Sequence, residues 1–281
     1  MQSMIGAAMG LAVFAASAAT TQQTSPAPVE RQTRYVAMGS SYAAGPGIPA
    51  AADGDTRCAR STNNYAHQFA RMRQLTLVDV SCSGATTRDI LKRSGTTPAQ
   101  IDAVTPETAL VTVTIGGNDV GFVTLLGSAS CRQLGLARKA PGGTCPTAPA
   151  VTERSWKDLA AAMKRIADEV RQRAPAARLV FVDYPVVLPA RGHCTATPMT
   201  PAEADAARAL ARRLAAVTAE AAEASGATLV RASSLSRGHD ACSNNPWING
   251  FPRTGQARFV PYHPIQAGMT VIAKALDSTI R

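Results

Sequence analysis

Five short runs rich in β-branched residues recur along this chain, each bounded by turn residues: Tyr35–Met38, Thr76–Val80, Leu110–Ile115, Leu179–Val182 and Thr228–Val230. Continuous apolar runs of this length fit strands covered on both faces. Between them lie segments of helical period. Residues 64–73 carry Tyr65, Phe69 and Met72 on one face. Trp156, Leu159, Met163, Ile166 and Val170 follow a 3-4-3-4 spacing that Pro175 ends. Pro201 opens a helix with Leu210, Leu214 and Val217 as its stripe and Gly226 at its end. A last helix starts near Pro264 and carries Ile265, Met269, Ile272 and Leu276. Strands alternating with helices predict one α/β domain, a parallel five-stranded sheet between two helical layers. The length of 281 residues is enough for such a core.

Residues 1–19 are apolar and rich in small side chains, and Ala16-Ser-Ala18 fits the cleavage site of a secretory signal peptide. The segment is short for a membrane span. Residues 20–33, polar and holding two prolines, read as a disordered linker, so the folded domain is expected over 34–281. The formal charge is +10, with the basic residues scattered among Asp and Glu on helix faces and no block of like charge. That is a solvated basic surface, compatible with transient contact with anionic lipid surfaces, and it gives no footprint for nucleic acid.

The six cysteines, Cys58, Cys82, Cys131, Cys145, Cys194 and Cys242, show no metal-binding spacing. Behind an export signal they argue for three disulfides and a secreted or periplasmic location. Count alone leaves every pairing open. Placed on the strand pattern, each cysteine follows a strand and so lies on the carboxyl rim of the sheet. Pairing in chain order then joins neighbours: Cys58–Cys82, Cys131–Cys145 and Cys194–Cys242. Two connections on the same rim, Val120 to Thr152 and Ser233 to Tyr262, are long enough to be expected as functional loops.

The chemistry centres on Tyr35 to Gly47, where an apolar run stops at Gly39 and two serines follow among small residues. Open α/β sheets hold ligands at this edge. A serine there is a nucleophile only if a base and an anion hole converge on it. Gly39-Ser-Ser41, Cys82-Ser-Gly84, Gly116-Gly-Asn118-Asp119 and Tyr262-His263-Pro264 supply candidates in that order. In order and placement these segments resemble the four blocks of the SGNH (GDSL-type) hydrolases, and the resemblance runs from about Arg34 to Ile280. Its six-cysteine layout is similar to that of secreted actinobacterial lipases and esterases with three disulfides, and the resemblance implies a flavodoxin-like fold and carboxylic ester hydrolysis.

Carried over by residue, the resemblance implies Ser41 as nucleophile and His263 as base. The anion hole falls on the amides of Ser41 and Gly84 and the side chain of Asn118. Two positions depart from the family: its first-block Asp is Ser40 here, and the Asp expected three residues before the histidine is Val260. A Ser–His dyad oriented by a main-chain carbonyl, that of Val260, is the expectation. Asp119 reads as a hydrogen-bond acceptor for its loop. Trp247, Ile248 and Phe251 offer one apolar wall for an acyl chain, and Leu125, Leu126, Leu134 and Leu136 an opposite one.

With an ordinary histidine, the rate should fall as pH drops through roughly 6 to 7. No nucleotide fingerprint or metal-ligand spacing occurs, so no cofactor and no metal are expected. The expected partner is a small ester or lipid, and a monomer suffices. A carbohydrate O-acetylesterase and an inactive secreted binding protein remain the alternatives.

Overall fold

The computed structural model describes residues 33–52, 57–137, 141–252 and 260–280. The expected signal peptide and all but the end of the expected linker lie outside them. Strand β1 (Arg34–Gly39) leads into a single helical turn, α1 (Ser41–Ala44), and then α2 (Tyr65–Arg73). After them come β2 (Thr76–Asp79), α3 (Thr87–Leu91), β3 (Thr108–Thr114), α4 (Phe122–Gln133) and α5 (Glu153–Arg173). The chain continues through β4 (Arg178–Val182), α6 (Pro201–Ser225), β5 (Thr228–Val230), the short α7 (Ala232–Leu235) and α8 (Gln266–Thr279). The strands form one parallel sheet in the order β2-β1-β3-β4-β5. The order reverses between β1 and β3, which is where doubly wound sheets open a crevice at their carboxyl ends.

Side chains alternate across β1. Tyr35 and Ala37 pack with Phe69, Met269 and Ile272 on the α2/α8 face, while Val36 and Met38 join Leu159, Met163 and Leu214 of α5 and α6. The helix ends follow their sequence signals. Thr200 and Glu203 form a capping box around Pro201, and Gly226 closes α6 in a left-handed conformation with φ 65°. Edge strand β2 is only half-buried, so the expectation of cover on both faces holds for the inner strands and not for it.

Two expectations on the helices need correction. Residues 120–152 are not all loop, because α4 occupies Phe122–Gln133 and buries Leu126 completely. Met72 is 45% exposed. The buried stripe of α2 runs through Tyr65, Ala66, Phe69 and Ala70, leaving Met72 at its margin.

Disulfides join Cys58–Cys82, Cys131–Cys145 and Cys194–Cys242. The first ties the segment ahead of α2 to the turn after β2, where the Ser83 amide also donates to the Cys58 carbonyl at 3.1 Å. The sequence separation of 24 makes the double variant Cys58→Ala/Cys82→Ala less stable by about 3 to 4 kcal/mol in the chain-entropy model. Urea denaturation of the two proteins measures this, and an unchanged midpoint would mean the bridge does not constrain the unfolded chain.

Candidate active site

Strand β1 ends at Gly39 because nothing larger fits. Its φ is +144°, and a Cβ there would lie 2.4 Å from the Thr114 carbonyl oxygen of β3. The Gln100 side chain clamps the same residue, accepting from the Gly39 amide at 2.7 Å and donating to its carbonyl at 3.0 Å. Ser40 follows, its amide donating to Thr114 O at 2.9 Å and its Oγ paired with the Tyr184 hydroxyl at 3.0 Å. This draws the Ser40 hydroxyl inward, to 1% exposure. Ser41 is the first residue of α1, so its amide has no acceptor within the helix.

His263 reaches Ser41 from the segment before α8, with Nε2 2.7 Å from Ser41 Oγ. Its Nδ1 lies 2.8 Å from the carbonyl oxygen of Pro261. A carbonyl only accepts, so Nδ1 carries the proton and Nε2 presents its lone pair to the serine hydroxyl. The orienting carbonyl is therefore that of Pro261, and the expectation for Val260 is corrected. Val260 O instead accepts from Asn249 Nδ2 at 3.3 Å. The cause is Tyr262, whose φ of +60° folds the chain back so that a carbonyl two residues upstream meets the ring. Tyr262 is held there at both ends: Tyr42 Oη donates to its carbonyl, and its own hydroxyl pairs with Ser130 Oγ of α4. Antiparallel contacts with residues 248–249 fix the segment further.

The imidazole is buried, and burial, only partly opposed by the Pro261 hydrogen bond, pulls its pKa down to about 4. Burial disfavours the imidazolium, and no carboxylate hydrogen-bonds the ring. The pH expectation of roughly 6 to 7 is thereby moved.

Gly84 lies in the turn after β2 and Asn118 in the turn after β3, both on the carboxyl rim that also holds Ser41. Gly84 is exposed with φ +84°, and the place of its absent Cβ is open space. Its value is the left-handed backbone rather than room for close approach. One N–H of Asn118 Nδ2 donates to Ala85 O at 2.9 Å, fixing the amide, and its second N–H has no partner among the described residues. Asp119 accepts from the amide and hydroxyl of Thr87, bracing the turn after β3 against α3. Burial nevertheless raises its pKa.

The other histidines sit elsewhere. His67 lies against Asn64 and Asp79, and His239 stacks on Trp247 while contacting Asn245 O. His193 is exposed.

A cavity of about 610 Å³ opens beside Gly84, bounded by Val80, Pro98, Ala99 and Ala103 with Arg57 and Arg60. Of the candidate dyad and anion-hole residues it is lined by Gly84 alone, and none of the residues expected as apolar walls (Trp247, Ile248 and Phe251; Leu125, Leu126, Leu134 and Leu136) borders it. Ile248 and Leu126 are core residues, Phe251 packs towards Tyr262, and Leu134 is 43% exposed. Among the described residues no cluster of three or more His, Cys, Asp or Glu is arranged to hold a metal ion. No described helix is long and apolar enough to cross a membrane.

Tyr184, Gln100, Tyr42 and Pro261 support the site and were not expected. Tyr184 follows β4 on the carboxyl rim and Tyr42 neighbours Ser41, so position could have drawn attention to both. Gln100 and the Pro261 carbonyl carry no sequence signal.

The pattern of the GDSL-like lipase/acylhydrolase family matches residues 37–271. The chain belongs to that family. Lipase 2 of Streptomyces coelicolor is 33% identical over 258 residues, covering 88% of this chain and 86% of that protein. A phospholipase A1 structure from Streptomyces albidoflavus superposes with a TM-score of 0.72 at 27% identity, over 88% of this chain and 99% of that one. An extracellular lipase structure from Streptomyces rimosus gives 0.70 at 29%, with the same coverage. The protein is a carboxylic ester hydrolase on the SGNH fold.

If His263 is the base, it must be neutral to act, and its neutral form persists down to its lowered pKa. kcat/KM on p-nitrophenyl butyrate should therefore hold as pH falls through 6 and be halved near pH 4. The same shift has a stability sign. An unfolded histidine takes up a proton near pH 6.5 while the folded one waits until about 4, so stability declines as pH drops across that window. A pH–rate limb at 6 to 7 in wild type would show that burial does not depress the imidazole.

Proposed function

We propose that the protein is an exported esterase of acyl lipids that works through an acyl-enzyme on Ser41. The observation that carries this reading is the 2.7 Å contact between Ser41 Oγ and His263 Nε2, with Nδ1 tied to the Pro261 carbonyl. A hydroxyl attacks an ester carbon poorly until a base at hydrogen-bond distance takes its proton. His263 takes it as the Ser41 oxygen bonds to the carbonyl carbon, and the carbonyl oxygen becomes an oxyanion. The amides of Ser41 and Gly84 and the free N–H of Asn118 receive that charge. His263 then protonates the leaving alcohol, and the acyl group stays on Ser41. A water molecule, deprotonated by the same imidazole, releases the acid and restores the serine.

An acyl-lipid substrate, phospholipid included, is supported by the lipase and phospholipase names of the relatives at 27–33% identity. The cavity beside Gly84 has the size for part of such an ester, with Val80, Ala85, Pro98, Ala99 and Ala103 as its apolar side among polar and charged residues. Export is supported by the disulfides and by the sequence of residues 1–19, with 20–33 as linker and 34–281 as the hydrolase domain. The basic surface suits brief contact with anionic lipid. One chain supplies every group of the site, so a monomer is sufficient.

Ser41→Ala should lower kcat by about 10⁵-fold or more. Asn118→Ala should lower it by about 10²–10³-fold with little change in KM. Wild-type rates on p-nitrophenyl esters should rise from acetyl towards octanoyl. A preference for acetyl esters, matched by release of acetate from acetylated xylan, would replace the lipid reading with a carbohydrate esterase.

A further inference from the structure

A second cavity, of about 500 Å³, lies at the carboxyl ends of β4 and β5, between the segments that follow them and α6. Its boundary excludes Ser41, Gly84, Asn118 and His263. Tyr184, Val186, Val187, Leu188 and Ala211 make apolar walls. Three arginines also line it, and they differ. Arg208 is spent, donating to the carbonyls of Pro189 and Gly192 and paired with Asp205. Arg212 and Arg237 are exposed. Among the described residues neither guanidinium has a hydrogen-bond or ion-pair partner. The lining carboxylate, Asp240, is turned to its own backbone, accepting from the Cys242 amide at 2.9 Å.

An apolar cavity with two uncommitted guanidinium groups complements one kind of small molecule, a chain with a single anionic head. We propose that this cavity binds a free fatty acid, with its carboxylate on Arg212 and Arg237 and its chain against Val186, Val187, Leu188 and Ala211. Guanidinium forks pair with carboxylates through charge-assisted hydrogen bonds, and the volume lies within the range of small-ligand pockets. The class of ligand rests on the esterase reading, since hydrolysis of an acyl ester releases such an acid. Tyr184 is shared with the active site, where its hydroxyl holds Ser40 Oγ and accepts from the Gly117 amide at 3.0 Å. Product bound here thus lies against a side chain that supports the nucleophile turn.

Isothermal titration with monomeric decanoate, below its micelle concentration, tests the site directly. Wild type should bind one equivalent saturably. The charge-reversed double variant Arg212→Glu/Arg237→Glu should bind at least about tenfold more weakly while keeping its rate on p-nitrophenyl acetate. Ala211→Met, which fills the cavity, should weaken binding without touching either charge. Decanol, lacking the anion, should bind wild type no better than the double variant binds decanoate. Equal decanoate affinity in wild type and both variants overturns the proposal. So does adsorption to anionic phosphatidylglycerol vesicles with no one-to-one uptake of decanoate, which would make these arginines a membrane contact.

Blocking Ser41 with diethyl p-nitrophenyl phosphate separates this site from the catalytic one. Binding that persists places decanoate in the second cavity, and binding that vanishes places it in the active site and ends the proposal. A protein that hydrolyses no ester and resists the phosphate would defeat the esterase reading alone. The arginine variants would then still decide the binding site.

Discussion

The contact between Gly39 and Thr114 sets the position of the proposed nucleophile. Neighbouring parallel strands hold their backbones at a fixed spacing, and β1 comes so near the end of β3 that a single methyl group would overlap a carbonyl oxygen. The chain must turn at that point, and only a residue without Cβ makes the turn at φ +144°. Three further bonds lock it: two from the amide of Gln100 and one from the Cys82 amide to the Gly39 carbonyl at 3.0 Å. The Cys82 bond matters beyond β1, because Cys82 opens the segment that carries Gly84. The serine turn and the first anion-hole candidate are therefore placed by the same backbone junction.

The sheet edge explains why the cysteines lie where they do. Long segments on the carboxyl rim anchor themselves by a few core side chains, such as Leu126, Leu188 and Ile248, with irregular chain between them. Each bridge ties down such a segment: the turn after β2, the stretch following α4, and the paired segments after β4 and β5. A covalent link adds to those anchors in the stretches between them, which agrees with the proposed export to an oxidising compartment.

Much of the architecture was legible because it depends on local pattern. The β-branched runs and the 3-4-3-4 stripe of α5 read directly, since period reports burial. Helix α4 was hidden. Its sequence, with Gly127, Ser128 and Ser130, has weak periodicity, and tertiary packing of Phe122 and Leu126 decides its conformation. The four proposed reactive positions were readable as short motifs, three of them after strands and one just before α8. What orients them was not, because a main-chain carbonyl has no letter in the sequence. The family resemblance implied Val260, which stands at the position of the family's Asp. The left-handed Tyr262 shifts the partner by one residue, and a tyrosine at φ +60° is disfavoured unless its neighbours hold it. Those neighbours, Tyr42 and Ser130, are far apart in the chain.

The two departures from the family pattern share a physical theme, the replacement of a charged group by a neutral one. Ser40 with the Tyr184 hydroxyl stands where the family has a carboxylate, and a carbonyl stands where the histidine would meet another. The resting Ser41–His263 pair is then uncharged, which its burial favours, and that burial is what lowers the His263 pKa. In the proposed mechanism the cost appears when the serine proton moves, because an imidazolium forms with only a carbonyl dipole beside it. The oxyanion formed in the same step supplies the missing counter-charge. Imidazolium and oxyanion arise together a few ångströms apart, in surroundings of low polarity where their attraction is strong. A carboxylate would stabilise the imidazolium before and during the reaction alike. Here the stabilising charge exists only while the tetrahedral species does, so the attraction is concentrated where it lowers the barrier.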